Sequence, residues 1–273
     1  MSGQAAWTRP VLIGVAVGYV AILLLAPLAG IVATVASAGI GVVIDTVTAA
    51  DVMHAFWLTA IITLLTVMVT GVFGIITALV LTRDRFVGRR LISGIVDLPL
   101  AVSPVIVGVM AVILFGRGGW LEPFFSERGI QVIFAVPSMA LVTMFICIPF
   151  VIRELTPVLQ ELGTVEEDAA RTLGASSIQA FFRVTLPNIR WALLYGIALT
   201  TARAMGEIGA VLIVSGAIQG QTETATLSIF RALEERQDAA AYVVAVILAL
   251  VSVVLLAGIE IAKQRQARLK ERA

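Results

Sequence analysis

Few side chains in this sequence have the types and spacing that chemistry requires. One cysteine, Cys147, stands inside an apolar run, and one histidine, His54, stands at the edge of another. A disulfide framework and a multi-cysteine metal site are thereby excluded, and a lone histidine without a matched cysteine or carboxylate cluster makes a poor metal site. No G-x-x-x-x-G-K-[ST] phosphate loop occurs, and Gly116 to Gly119 reads as a short turn rather than a nucleotide cradle. No catalytic residue and no metal ligand is therefore assigned. What remains is charge in apolar surroundings: Arg203 and Glu207, four residues apart, and Asp97, just before Leu98-Pro99. On a continuous helix Arg203 and Glu207 share a face and can pair, which lowers the cost of roughly 2.5 to 3.5 kcal/mol for a lone charge at the centre of a membrane helix. The pair is either a pin between helices or part of a path for a charged substrate. Asp97 is either the cap of a helix that resumes after it or a gating residue at the mouth of such a path. Gly206 and Gly209 thin the helix that carries the pair, so that a neighbour can approach closely.

A third constellation is polar rather than apolar. Between Arg153 and Arg190 lies the longest polar insertion of the chain. Thr156-Pro157 is expected to open a helix, with Glu161, Glu166, Glu167 and Asp168 as its charged face. Gly174 is placed to end that helix in a left-handed conformation. Ser176 or Ser177 then caps a second short helix, Ile178 to Thr185, whose Ile178, Phe181, Phe182 and Val184 form an apolar stripe, and Leu186-Pro187 stops it. Helix, glycine elbow and amphipathic helix together form either a docking surface presenting Phe181 and Phe182 or a unit that packs on its own chain.

The elements that must position these residues follow from composition. Of 273 residues, 59% are hydrophobic and only 14% charged, with a mean hydropathy of +1.02. Such a chain belongs in lipid, and a net charge of +1 gives no field directed at nucleic acid. Six stretches approach the length of about 20 apolar residues that a crossing helix needs: residues 11–36, 55–82, 91–115, 130–152, 188–218 and 239–261. The first carries no charge from Val11 to Ile44, too long for a signal core, and reads as an uncleaved span. These runs lack the polar alternation of a membrane barrel, so the fold class is all-α, a polytopic bundle of six transmembrane helices in a single domain, 1–273. With the amino terminus inside, fourteen of the nineteen basic residues fall on the inner side, which puts both termini and the 153–190 loop in the cytoplasm. The basic tail after Ile261 then serves as a topology anchor at the membrane surface.

The loop also carries a resemblance. Asp168-Ala169-Ala170, three residues, Gly174, nine residues and Val184-Thr185-Leu186-Pro187 resembles the EAA loop of ATP-binding-cassette importer permeases, E-A-A, three residues, G, nine residues, I-x-L-P. Aspartate for glutamate and valine for isoleucine are the departures, and either Glu167 or Asp168 is left to make the expected polar contact. The resemblance implies the type I importer permease (MetI-like) fold. It also implies a loop that enters a cleft on the ATPase subunit through Glu167, Asp168, Ala169, Ala170, Gly174, Phe181, Phe182, Leu186 and Pro187.

Arg183 to Gly196, Ala202 to Val211 and Asp97 to Val105 resemble the CysW-type permease subunits of sulfate/thiosulfate importers, within a similarity running from about His54 to Thr226. By that resemblance the chain sits in a bacterial inner membrane and binds no cofactor itself. ATP and Mg2+ belong to two partner ATPase copies, beside a second, CysT-type permease subunit and an extracytoplasmic sulfate-binding protein. Arg203, Glu207 and Asp97 would line or pin the translocation path. The R-A-x-G-E-x-G-A string, Arg203 to Ala210, is shared with molybdate and tungstate permeases, which leaves a homodimeric permease for those oxyanions as one alternative. A secondary transporter or an intramembrane enzyme, working without an ATPase, is another.

Overall fold

The structure, a computed structural model, describes residues 5–270, with side chains described from 11 to 262. The side chains of Arg9 and of the basic tail from Lys263 onward lie outside the described residues. Every element among the described residues is helical. The long apolar elements are α1 (Ala5–Thr48), α2 (Ala50–Arg83), α6 (Val136–Leu162) and α12 (Asp238–Lys270). Between them lie α3 (Arg89–Ala101), α4 (Pro104–Phe115), α5 (Glu122–Ser126), α7 (Val165–Thr172), α8 (Ser177–Ala180), α9 (Leu186–Met205), α10 (Gly209–Ser215) and α11 (Ala225–Glu234). Among the described residues four helices are long and apolar enough to cross a membrane unbroken, and the pairs α3/α4 and α8–α9/α10 bring the total to six if each bent pair counts as one crossing.

The bends have sequence causes. Between α3 and α4 the direction changes by 108°, at Val102-Ser103 in extended backbone followed by Pro104 in the first turn of α4. Between α9 and α10 it changes by 53°, where Gly206, Glu207 and Ile208 leave the helical path. α1 is helical past the expected residue 36, out to Thr48, with non-helical dihedrals at Gly39 (φ 87°, ψ 159°).

Residues 130–135 are not helical, and α6 starts at Val136 with Pro137 in its first turn. It then runs through Pro149 and Pro157 to Leu162, so Thr156-Pro157 does not open the loop helix. The helix continues because Leu155 and Leu159, fully buried, pack on Ala78, Leu81 and Ile189. The Thr156 hydroxyl donates to the Ile152 carbonyl at 2.7 Å, a back-bond of the kind that bends a helix, beside the proline. Gly163 (φ 61°) ends α6.

α2, α6 and α9 form the centre of the bundle, and α4 packs on α10 beside them. Ala78, Leu81, Val151, Ile152, Leu155, Leu159 and Ile189 make a core near the end where α6 runs into α7, called here the loop end. A second core, including Leu58, Ile62, Val107, Met139, Val142, Val211 and Leu227, fills the opposite half. α1 lies against α12 with most of its apolar surface turned away from the bundle.

At the opposite end, Arg231 of α11 ties three segments together. Its Nε donates to Glu223 Oε1 at 2.7 Å, Nη2 to Asp51 Oδ2 at 3.0 Å and Nη1 to Glu235 Oε2 at 3.3 Å. The Glu223 carboxylate that accepts from it holds the Arg231 pKa above its usual value, although burial works the other way.

Glycine permits the closest helix contacts. A Cβ on Gly108 of α4 would come within 2.9 Å of the Ala210 backbone oxygen and of Ile213 Cβ in α10, whereas one on Gly71 would meet nothing within 4 Å. Overpacking of this kind costs about 1–3 kcal/mol. Gly108→Ala is therefore expected to lower the melting temperature of the detergent-solubilised protein by several degrees, with Gly71→Ala unchanged or slightly raised. Equal melting of the two variants would show that α4 and α10 do not depend on this approach.

Candidate functional site

The helix that carries the acidic run begins at Val165, with Glu166, Glu167 and Asp168 in its first turn, where negative charge meets the positive end of the helix dipole. Its end is fixed by glycine. Gly174 has φ 91°, and the Gly174 and Ala175 amides donate to the Arg171 and Ala170 carbonyls at 2.9 and 3.0 Å, the double bond of a Schellman cap. Ser176, not Ser177, caps the next helix through a capping box: its hydroxyl accepts from the Gln179 amide at 3.3 Å, and Gln179 Oε1 accepts from the Ser176 amide at 2.9 Å.

Beyond Ala180 the chain forms one π-helical turn, Phe181–Thr185, and passes straight into α9. Leu186-Pro187 therefore does not stop the helix. Pro187 lacks the amide that would close an ordinary turn, and the wider turn, in which the Leu186 amide donates to the Phe181 carbonyl, carries the backbone past it.

The acidic residues separate by role. Glu167 Oε1 accepts from Arg83 Nη2 at 2.9 Å and from the Thr185 hydroxyl at 2.9 Å, and the Arg83 and Glu167 side chains are only 17% and 12% exposed. Arg83 Nη1 also donates to the Leu159 carbonyl at 3.0 Å. One arginine at the end of α2 thus holds the last turn of α6 and the first turn of α7, while Thr185 joins the π turn to the same carboxylate. Glu166 Oε2 accepts from Asn188 Nδ2 at 2.6 Å, a second tie between α7 and α9. Asp168 points to solvent, 3.7 Å from Arg171 on its own helix. Of the two acids that the sequence left open, Glu167 makes the internal contact. Arg83 and Thr185 were not singled out from sequence, since a basic residue at the end of a span signals only topology.

The outer surface of this unit is apolar. Leu173 is 90% exposed, Ile178 71% and Phe182 60%, whereas Phe181 is half-buried, stacked edge-on against Phe182 with ring centroids 5.0 Å apart. The expected pair of exposed phenylalanines is therefore one, because the π turn rotates Phe181 inward. A groove of ≈ 400 Å³ runs along the elbow, lined by Ala170, Leu173, Gly174, Ala175, Gln179 and Arg183 among others. Ala169 is exposed and Ala170 partly so.

The intramembrane charges are arranged differently from the sequence expectation. Arg203 Nη1 stands 2.7 Å from Glu207 Oε2, but the two do not share one helix, since α9 ends at Met205 and Gly206 is its cap. The angle of this contact is not that of a hydrogen bond, so the same Oε2 has charge pairing without a directional donor. Glu207, 3% exposed, accepts from the Ala210 amide through Oε1 at 2.8 Å and so caps α10, while the Thr226 hydroxyl donates to its carbonyl at 2.9 Å. Its carboxylate is occupied by structure. Gly206 closes α9 rather than thinning it, whereas a Cβ on Gly209 would meet Pro104 Cβ at 3.1 Å. Asp97 caps nothing: it lies inside α3, and its Oδ1 accepts from Arg153 Nε of α6 at 2.8 Å.

Residues 70–268 match the family described as "Binding-protein-dependent transport system inner membrane component". The chain is 46% identical over 254 residues to "Sulfate transport system permease protein CysW" of Synechocystis sp. (93% of this chain, 92% of that protein) and 43% identical over 250 residues to the Escherichia coli K12 protein of that name (92% and 86%). It is also 36% identical to "Sulfate transport system permease protein CysT" of Salmonella typhimurium, over 94% and 92% of the two chains. Among solved structures it superposes on a bacterial alginate ABC transporter in complex with an alginate pentasaccharide-bound periplasmic protein, with a TM-score of 0.80 at 17% identity over 96% of each chain, a likeness of fold. With this fold and these relatives, the chain belongs to the family of binding-protein-dependent transport system inner membrane components, the permease subunits of ABC transporters.

Proposed function

We propose that this chain is the CysW-type permease subunit of an ATP-driven importer of sulfate and thiosulfate. The observation that carries the coupling role is the elbow at the loop end. Leu173, Ile178 and Phe182 are exposed on a unit whose back is clamped to α2, α6 and the π turn by the Arg83–Glu167–Thr185 cluster. An apolar surface held on a charged, partly buried anchor suits a partner that pushes on it, because displacement of α7 must displace α2 or break the ion pair. The partner is an ATPase subunit, present in two copies, which supplies the ATP- and Mg2+-dependent chemistry. This chain supplies the path and hydrolyses nothing.

Sulfate as cargo rests on the CysW relatives, at 42–46% identity in two cyanobacterial and one enterobacterial protein. The presence of a separate CysT type among the relatives supports a heterodimer with a second permease subunit, and an external binding protein delivers the anion. The loop end faces the cytoplasm, as do both termini, since the arginines of that end, Arg83, Arg85, Arg89, Arg90 and Arg153, are on the side where basic residues are retained. The Arg203–Glu207 pair holds α9 to α10 beside the path rather than binding the anion. Glu207 is already spent on Ala210 and Arg203, and its charge repels sulfate.

Phe182→Asp is expected to weaken copurification of the ATPase by about thirtyfold, the loss of an interface anchor of about 2 kcal/mol, while the chain still inserts. Copurification at the wild-type level would remove Phe182 from the docking surface. Labelled-sulfate uptake in a deletion strain is expected to return with this chain and its partner subunits and to require ATP. Uptake that persists in vesicles without ATP would contradict the importer reading.

A further inference from the structure

At the loop end, α3 and α6, with Leu81 of α2, form an open cavity of ≈ 280 Å³ that belongs neither to the docking surface nor to the Arg203–Glu207 pair. One face of each helix lines it: Arg89, Ser93 and Asp97 at intervals of four on α3, and Arg153, Thr156 and Gln160 on α6. Two guanidinium groups against one carboxylate leave the lining net positive.

That carboxylate is already committed. Asp97 Oδ1 accepts from Arg153 Nε at 2.8 Å, which fixes the plane of the guanidinium and leaves both Nη groups with no partner among the described residues. Arg89, half-buried, makes no side-chain hydrogen bond or ion pair with any described residue, and neither Ser93 nor Gln160 has a side-chain partner there. Two guanidinium forks, a hydroxyl and an amide therefore line one cleft as unspent donors, Arg89 half-buried in it and Arg153, with its side chain 58% exposed, at its rim. Guanidinium matches the geometry of phosphate or sulfate oxygens with paired N–H groups, and such charge-assisted bonds are the strong ones. The cavity is about nine times the ~30 Å³ that a water occupies, which is room for such an anion and part of its hydration.

The surroundings add an amphiphilic element. α3 turns 108° away from α4 and exposes Leu91, Ile92, Ile95 and Leu98, with Arg85 and Arg90 exposed near its start. A helix with an open apolar face beside clustered arginines is the arrangement that meets an anionic lipid at a membrane surface.

We propose that the α3/α6 cavity is a binding site for a tetrahedral oxyanion, held between Arg89 and Arg153. The anion is either the phosphodiester of an anionic phospholipid, its chains along Leu91 and Ile95, or a free phosphate-like dianion. The assignment stands independently of the cargo and of the ATPase.

The full chain is placed in nanodiscs of phosphatidylcholine with or without phosphatidylglycerol, and the phosphatidylglycerol retained is counted by native mass spectrometry. Inorganic phosphate is titrated separately in the phosphatidylcholine discs, with thermal stabilisation as the readout. Arg89→Gln and Arg153→Gln are expected to weaken anion binding on the order of tenfold each. Gln160→Glu, which keeps the size of the side chain and adds a negative charge, is expected to do the same, and Arg117→Gln, an exposed residue beyond α4 and away from the cleft, to leave binding unchanged. Loss confined to phosphatidylglycerol retention identifies the lipid as the source, and loss confined to the phosphate response identifies the free anion. Equal lipid retention and equal phosphate response in wild type and all variants, each eluting as the folded protein, overturns the assignment.

Discussion

A carboxylate withdrawn from water has to be answered by donors, and Glu167 is answered by two that come from distant parts of the chain. Arg83 ends α2, eighty-four positions earlier, and Thr185 lies in the π turn eighteen positions later. Removing one partner of such a pair strands the other charge and costs about 3–5 kcal/mol, more than most single contacts can offset. The short helix α7 has eight residues and no buried side chain of its own, so it lacks the apolar burial that normally holds a helix in place. Its position depends on this carboxylate, with the Glu166–Asn188 bond as support.

The remaining features of the loop end follow from that anchoring. With the back of α7 fixed to α2 and α6, the Gly174 elbow turns the chain so that Leu173, Ile178 and Phe182 face outward together. The π turn absorbs Pro187 and aims Thr185 at Glu167, and α9 then continues without a break into the centre of the bundle. Movement imposed on the exposed face therefore has two rigid routes inward, through Arg83 into α2 and through the π turn into α9. At the other end of α9 the Glu207 carboxylate caps α10 and pairs with Arg203, so the same helix is tied to the bent α10 that packs on α4.

Much of this was legible in the residues, for identifiable reasons. The apolar runs announce helices in lipid because composition over twenty residues admits little else. Gly174 announces its turn because only a residue without Cβ enters a left-handed conformation at no cost. Other features depend on information that spacing does not hold. Which of Glu167 and Asp168 turns inward is set by the angular phase of α7 against α2, and that phase depends on α6 running on to Leu162. The extension of α6 past Pro157 was itself illegible, since local rules end a helix there while the burial of Leu155 and Leu159 carries it on. Arg203 and Glu207 meet in a way that their spacing does not announce: four residues apart suits a continuous helix, whereas Gly206 breaks it and the two meet across the break. Asp97 found its partner, Arg153, fifty-six positions away, where no local pattern points.

The Arg83–Glu167 pair is proposed to carry force from the docking face into the membrane helices. It is tested most directly by a double-mutant cycle read as sulfate transported per ATP hydrolysed, in proteoliposomes containing the assembled transporter with Arg83→Gln, Glu167→Gln and both. Each single variant is expected still to copurify with the ATPase and hydrolyse ATP but to lose most transport per ATP. The double variant should be no worse than the singles, a coupling of at least about 1 kcal/mol. Additive losses, or transport per ATP at the wild-type level in either single variant, would contradict it.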